Sequence, residues 1–300
     1  MPDSGEFLSS FDRAWSDFSG SWKKARAKTT VKSVHVLRVS TRRLIATLEL
    51  MRAMSRHDEI PELQRRFKRV FNGMGPLRDL QVQAQIIADL QPAGPTADFQ
   101  KSLQRREARR VAAVREDLKQ STKRRLSRGV KTVRAEFVRL YERSGFERIR
   151  TGVDKVLKVR RNEFMRTRKR FKAADEDTLH AMRIALKKLR YVVEAAQPVL
   201  GESAKGRARQ MHAFQQLLGD TRDLELLRTR LEKWSSKRGN TLAVVPALET
   251  LAERRQGLMQ KIVESAAALD QLFPEDYVKP AVEKTLAARA GTKELQKVGR

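Results

Sequence analysis

The sequence predicts an all-α protein, an antiparallel helical bundle built from two similar halves. Strand-like alternation of apolar and polar residues is almost absent, and apolar residues recur instead at helical spacing. Glycine and proline, 15 and 9 of 300 residues, gather at a few places that read as breaks. The breaks fall at Thr29-Thr30, residues 55–61, Gly73 to Pro76, Pro92 to Pro95, Ser144-Gly145, residues 173–177, residues 198–206, Gly219 and Gly239-Asn240. Segments between them run from about one to three dozen residues, the lengths of an antiparallel bundle. The tail from Gly291 is expected to fray.

Taken in order, the first long segment after Thr30 carries an oily face and a basic face. With His35 at zero and about 100° per residue, Arg38 falls near −60° and Arg42 near −20°, whereas Leu37, Leu44, Leu48 and Met51 cluster around 180°. The next helix sets Arg65, Lys68 and Asn72 opposite Phe67, Val70, Phe71 and Met74. Gly75 before Pro76 reads as a helix end and then a first turn that tolerates proline. Residues 101–172 follow with 26 basic and 8 acidic side chains, and with apolar positions such as Leu103, Val111, Val114, Leu118, Val133, Phe137, Val153 and Leu157 at helical intervals. They are expected to form long amphipathic helices rather than a basic tail. Base runs such as Arg105-Arg106, Arg109-Arg110 and Arg168-Lys169-Arg170 repel one another unless an anion relieves them.

The rest of the chain repeats the first part. His35, Arg38, Arg42, Arg43, Leu44 and Glu49 match His180, Arg183, Lys187, Lys188, Leu189 and Glu194 at an offset of 145. At an offset of 144, Arg65, Lys68 and Asn72 match Arg209, His212 and Gln216, and Gly75-x-x-Arg78-Asp79-Leu80 matches Gly219-x-x-Arg222-Asp223-Leu224. We read one domain over 1–300, with a first half at 5–140 and a second at 145–290. In the second copy Arg183 and Lys187 lie away from Met182, Leu189 and Val193, so the faces are duplicated too.

Lys plus Arg is 64 against 36 for Asp plus Glu, a formal charge of +28 that points to an anionic partner. With no cysteine there is no disulfide framework, thiolate nucleophile or Cys-bound zinc, and the four histidines show no close ligand spacing, so no metal site and no cofactor are expected. The acidic start and the lack of a long apolar run are read as a cytoplasmic chain.

Folding needs only the oily stripes. Keeping His and Arg at identical turns of the opposite face in two distant segments is a demand of ligand binding. Arg offers two-pronged hydrogen bonds to phosphoryl oxygens and Lys a point charge, so two such rows brought together make a positive groove suited to a linear polyanion. The candidate binding residues are His35, Arg38, Arg42, Arg43, Arg65, Lys68, His180, Arg183, Lys187, Lys188, Arg209 and His212. Asp79 and Asp223 are expected in a helix first turn, with Arg78 and Arg222 tying that turn to a neighbouring helix. Glu49 and Glu194 are expected to pair with an Arg.

With His, Arg and the paired bases repeated in this order, the sequence resembles the CHAD family, the conserved-histidine α-helical domain. The blocks Val34-His35-x-x-Arg38-x-x-x-Arg42-Arg43-Leu44 and Leu179-His180-x-x-Arg183-x-x-x-Lys187-Lys188-Leu189 look like its signature, and the two Gly-to-Asp blocks like its later motif. The resemblance runs over about residues 5–290. It implies two four-helix bundles in pseudo-twofold relation and binding of inorganic polyphosphate at polyphosphate granules. The signature cations, His35 to Arg43 and His180 to Lys188, would line the surface, whereas Arg65, Lys68, Arg209 and His212 come from the repeated face alone. Lys187-Lys188 in place of an Arg pair keeps charge but loses the two-pronged geometry, which predicts a weaker second half. Some family members carry a triphosphate-tunnel catalytic domain marked by an alternating Glu-x-Glu-x-Lys strand, and this sequence has no such strand.

Two other readings compete with a non-enzymatic polyphosphate binder. A helical nucleic-acid-binding protein would use the same charge, but aromatic content is only 6% and the aromatics sit at core-like spacing. A phosphoryl-transfer enzyme would want GxxxxGK[ST] or clustered carboxylates, and neither appears in the sequence.

Overall fold

A computed structural model describes residues 4–90, 94, 96–120 and 123–271, and those residues form helices and short connections only. The helices are α1 (Ser4–Ala27), α2 (Val31–Met54), α3 (Glu59–Gly73), α4 (Gly75–Asp89), α5 (Ala97–Gln120), α6 (Lys123–Arg170), α7 (Glu176–Ala195), α8 (Gln197–Leu200), α9 (Ser203–Ser236) and α10 (Val245–Gln271). None of them is long and apolar enough to cross a membrane. The expected tail from Gly291, the end of the second half beyond 271, and most of the break at Pro92 to Pro95 lie outside the described residues.

The two signature helices start alike. Thr30 caps α2 in a capping box with Ser33, and Asp175 caps α7 by accepting from the Asp177 and Thr178 amides. Each cap is five residues before its histidine, so local chemistry sets His35 and His180 in the same turn of equivalent helices. The oily faces are buried as the periodicity requires: Leu37, Leu44, Leu48 and Met51 in α2, and Met182, Leu186, Leu189 and Val193 in α7. These two helices pack on each other at the centre of the protein.

Around them the connected helices pack in sequence, α1 and α3 on α2, the later part of α6 and the start of α9 on α7. One core runs through α1, α2, α3, α6, α7 and the first part of α9. A smaller one joins α4, the start of α5, the later part of α9 and α10 through Leu80, Ile87, Phe99, Leu103, Leu224, Leu227, Leu231 and Leu251. Both cores draw on both halves of the chain, so the repeat units share their interiors.

Most breaks lie where expected. Gly145, at φ 65°, ends the first limb of α6 and starts the second in a new direction, a left-handed conformation that favours glycine. Gly152 sits where α6 crosses α2 so closely that a Cβ there would stand 2.4 Å from Met54 Cγ. Gly219 does not break its helix. α9 runs unbroken through it, whereas the first copy divides into α3 and α4 around Met74. A single glycine costs a helix about 1 kcal/mol, which the buried Leu218, Thr221 and Leu224 around it outweigh.

Candidate anion-binding site

Packing α2 on α7 brings four of the predicted cations into one cluster. Arg38 and Arg42 come from α2, Arg183 and Lys187 from α7, all half-buried. Their charges act on one another: Lys187 is driven down to about 6 by burial and by Arg42, Arg183 and Arg38. Arg38 is lowered to about 10 by burial and Arg42, and Arg42 and Arg183 are lowered first by burial. Cations held this way lack their usual hydration and crowd one another, the electrostatic signature of a site prepared for an anion.

His35 and His180 flank the cluster at equivalent places. His35 is pushed below the usual histidine range by burial and by Arg78, Arg42 and Arg38. His180 is pushed the same way by burial, Arg183 and Arg222, with Asp177 opposing, and its Nδ1 is buried without a hydrogen-bond partner. Two carboxylates stand nearby. Asp223 is raised to about 6 by burial and by Asp79 and Asp220, against the pull of Arg183 and Lys187, and Asp79 offsets the charge on Arg38 and Arg183. Arg38, Arg42, Arg183, Arg78 and Arg222 bear on these groups alongside the acids, and the lowering of both histidines and of Lys187 marks the cluster as net positive.

The first copy positions its arginines on an aromatic ring. Arg38 and Arg42 lie over the Phe71 ring at 4.1 and 4.4 Å from its centroid, and Arg38 Nη1 donates to the Phe71 carbonyl at 2.9 Å. The helical-wheel reading assigned Phe71 to the core face, but the structure makes it the floor under two guanidiniums. Its counterpart, Gln215, instead accepts from Arg190 Nε at 2.8 Å. Arg190 also pairs with Glu194 and stacks on Tyr191 at 4.2 Å, which sets the Tyr191 ring 5.8 Å from Arg42. A repeat search rewards identity, so Phe71 and Tyr191, which differ between the copies, carried no signal.

The remaining predicted residues lie elsewhere. Arg43 is exposed between Asp17 at 3.9 Å and Glu194 at 4.0 Å, and Lys188 pairs with Glu163 at 2.6 Å. Arg65 pairs with Glu62 at 2.6 Å, while Lys68, Arg209 and His212 are exposed, Arg209 beside Arg43 in a separate hollow. None of these six is among the described groups that perturb the central cluster. Glu49 and Glu194 do pair with arginines, Arg160 at 2.5 Å and Arg190. Arg222 ties to the start of α7 through Glu176 at 3.6 Å, as expected of a tether, whereas Arg78 bears on His35 and Arg38. The first-turn role expected of both aspartates does not hold: α4 starts at Gly75 and carries no acid in its first turn, which leaves Asp79 beyond it, and α9 continues through Asp223 so no helix begins there.

Comparison with curated proteins returns no match. Among solved structures, the crystal structure of the CHAD domain from the plant Ricinus communis is similar in fold, with a TM-score of 0.62 and 18% sequence identity over 90% of this chain and 90% of that one. The CHAD domain profile matches residues 9–232, most of the chain and both signature helices, so this protein belongs to the CHAD domain family.

Proposed function

We propose that this protein binds inorganic polyphosphate without turning it over, and that binding brings it to polyphosphate granules. The carrying observation is the meeting of Arg38, Arg42, Arg183 and Lys187 at the α2–α7 contact, with His35 and His180 at its two ends. Membership of the CHAD family, which is associated with polyphosphate, supports the choice among polyanions. Closely set phosphoryl groups, each charged and each rich in acceptors, match a row of half-buried guanidiniums better than isolated anions do. In this reading the core of the site is His35, Arg38, Arg42, His180, Arg183 and Lys187, while Arg43 and Lys188 serve mainly their carboxylate partners. The test is titration of the purified protein with long-chain polyphosphate at moderate salt. Wild type binds, Arg38→Ala with Arg183→Ala binds far more weakly at unchanged helicity, and no phosphate is released on incubation. No binding by wild type, or stronger binding of nucleic acid at equal phosphate concentration, overturns the reading.

A further inference from the structure

Basic side chains of α9 lie beside those of two other helices, α5 and α10, and the two sides are not equivalent. On the α10 side the arginines already have partners. Arg255 pairs with Glu176 and, at 3.4 Å, with Glu225, while Arg228 pairs with Glu225 at 3.1 Å and Glu232 at 3.2 Å. On the α5 side they do not. Arg105, Arg106 and Arg109 of α5 face Arg230, Lys237 and Arg238 at the end of α9 across two adjoining hollows of about 590 and 640 Å³. The one acid on those walls, Asp98, is taken by Lys101 at 3.5 Å. Among the described residues no carboxylate pairs with any of those six cations.

Arg230 joins this groove to the central cluster. Its side chain donates to the buried Gln83 of α4, and it is held below the usual arginine range by burial and by Arg106, with Asp79 opposing. Asp79 is the same carboxylate that bears on Arg38 and Arg183. The groove also has a fixed floor: Phe99 packs edge-on to Trp234, centroids 5.4 Å apart, and Arg238 lies 4.6 Å above the Trp234 ring. Six cations facing each other across a hollow, without counter-charges, repel in the empty protein, and an anion along the hollow removes that cost.

Resting on the polyphosphate reading above, we infer that the α5–α9 groove is a second phosphate station, through which a long chain leaves the central cluster on this side only. Short chains fill the centre; long ones engage both stations, so affinity grows with chain length through the second set of contacts.

The test compares wild type, the groove variant Arg105→Ala/Arg109→Ala/Arg238→Ala and the central variant Arg38→Ala/Arg183→Ala, each as the full chain, against tripolyphosphate and long-chain polyphosphate. The three groove side chains are exposed, so their removal leaves the cores intact. The groove variant should bind long chains roughly tenfold more weakly at moderate salt, with a log-affinity against log-salt slope shallower by about 2, and should bind tripolyphosphate as wild type does. The central variant should lose both ligands. A groove variant that matches wild type on long chains, or weakens equally on both ligands, overturns the second station and leaves the central reading standing. Groove-variant loss confined to a DNA duplex also overturns it, assigning the groove to another polyanion. Wild type binding neither phosphate removes the central reading itself.

Discussion

Loading the site should draw protons from solution, and Lys187 sets the amount. In the empty protein its ammonium is driven to about 6, against an ordinary value of 10.5, by burial among Arg42, Arg183 and Arg38. At pH 7 it is therefore only about one-tenth protonated. A polyphosphate laid across these arginines cancels their repulsion and restores the ammonium, an uptake of about 0.9 proton. Asp223, raised to about 6, is about nine-tenths ionised at pH 7, and an adjacent anion pushes it toward the neutral acid, adding uptake of the same sign. His35 and His180 are lowered in the empty protein and respond in that direction too. The bound values thus lie above the free ones, so the extra affinity is complete below about pH 6 and fades as pH rises through the bound values. One linked proton corresponds to about tenfold in affinity per pH unit, and the total should be about one to two protons. Calorimetric titration at pH 7 in buffers of differing ionisation enthalpy measures this as the slope of observed heat. Lys187→Met should lower the slope by about one proton. A zero or negative slope, or an unchanged one in that variant, refutes the electrostatic account of the cluster.

In the absence of ligand, Lys187→Met should stabilise the protein at pH 7 by about 1 kcal/mol or more, since it removes an amine that must give up its proton to be buried among like charges; a lowered melting temperature would count against this. Phe71→Leu should weaken tripolyphosphate binding by about 1 kcal/mol through loss of the ring beneath Arg38 and Arg42, with little change in denaturant midpoint. Gly152→Ala should cost about 1–3 kcal/mol in urea unfolding because its methyl would collide with Met54 where α6 crosses α2. Glu49→Gln should cost about 1–2 kcal/mol by loosening Arg160 and leave polyphosphate affinity unchanged, its partner lying away from the cluster.

The all-α class, the oily stripes of α2 and α7 and the repeated basic positions were legible because each follows from local spacing. Glu49 and Glu194 finding arginines was equally legible. What spacing cannot supply is which face of a helix meets which neighbour. Arg42 and Arg43 are adjacent in sequence and equally basic, yet α2 turns one into the cluster with Arg183 and Lys187 and the other out to the carboxylates of Asp17 and Glu194. Arg65, Lys68, Arg209 and His212 keep the repeated register, and their helices carry that face outward to solvent. Phe71 looked like core because its angle is apolar, and tertiary packing put two guanidiniums against it. Gly219 matched a true break in the first copy, but a glycine only permits a break, and in α9 the flanking side chains keep the rod continuous.

That rod has a mechanical meaning. At 34 residues α9 is about 50 Å long, and its first part belongs to one apolar interior while its later part belongs to the other. A chain with a visibly doubled sequence invites the picture of two modules melting in turn. Here neither can come apart without bending or fraying the beam they share, so heating should give one calorimetric transition, and a cut near residue 145 should yield fragments that do not stand alone.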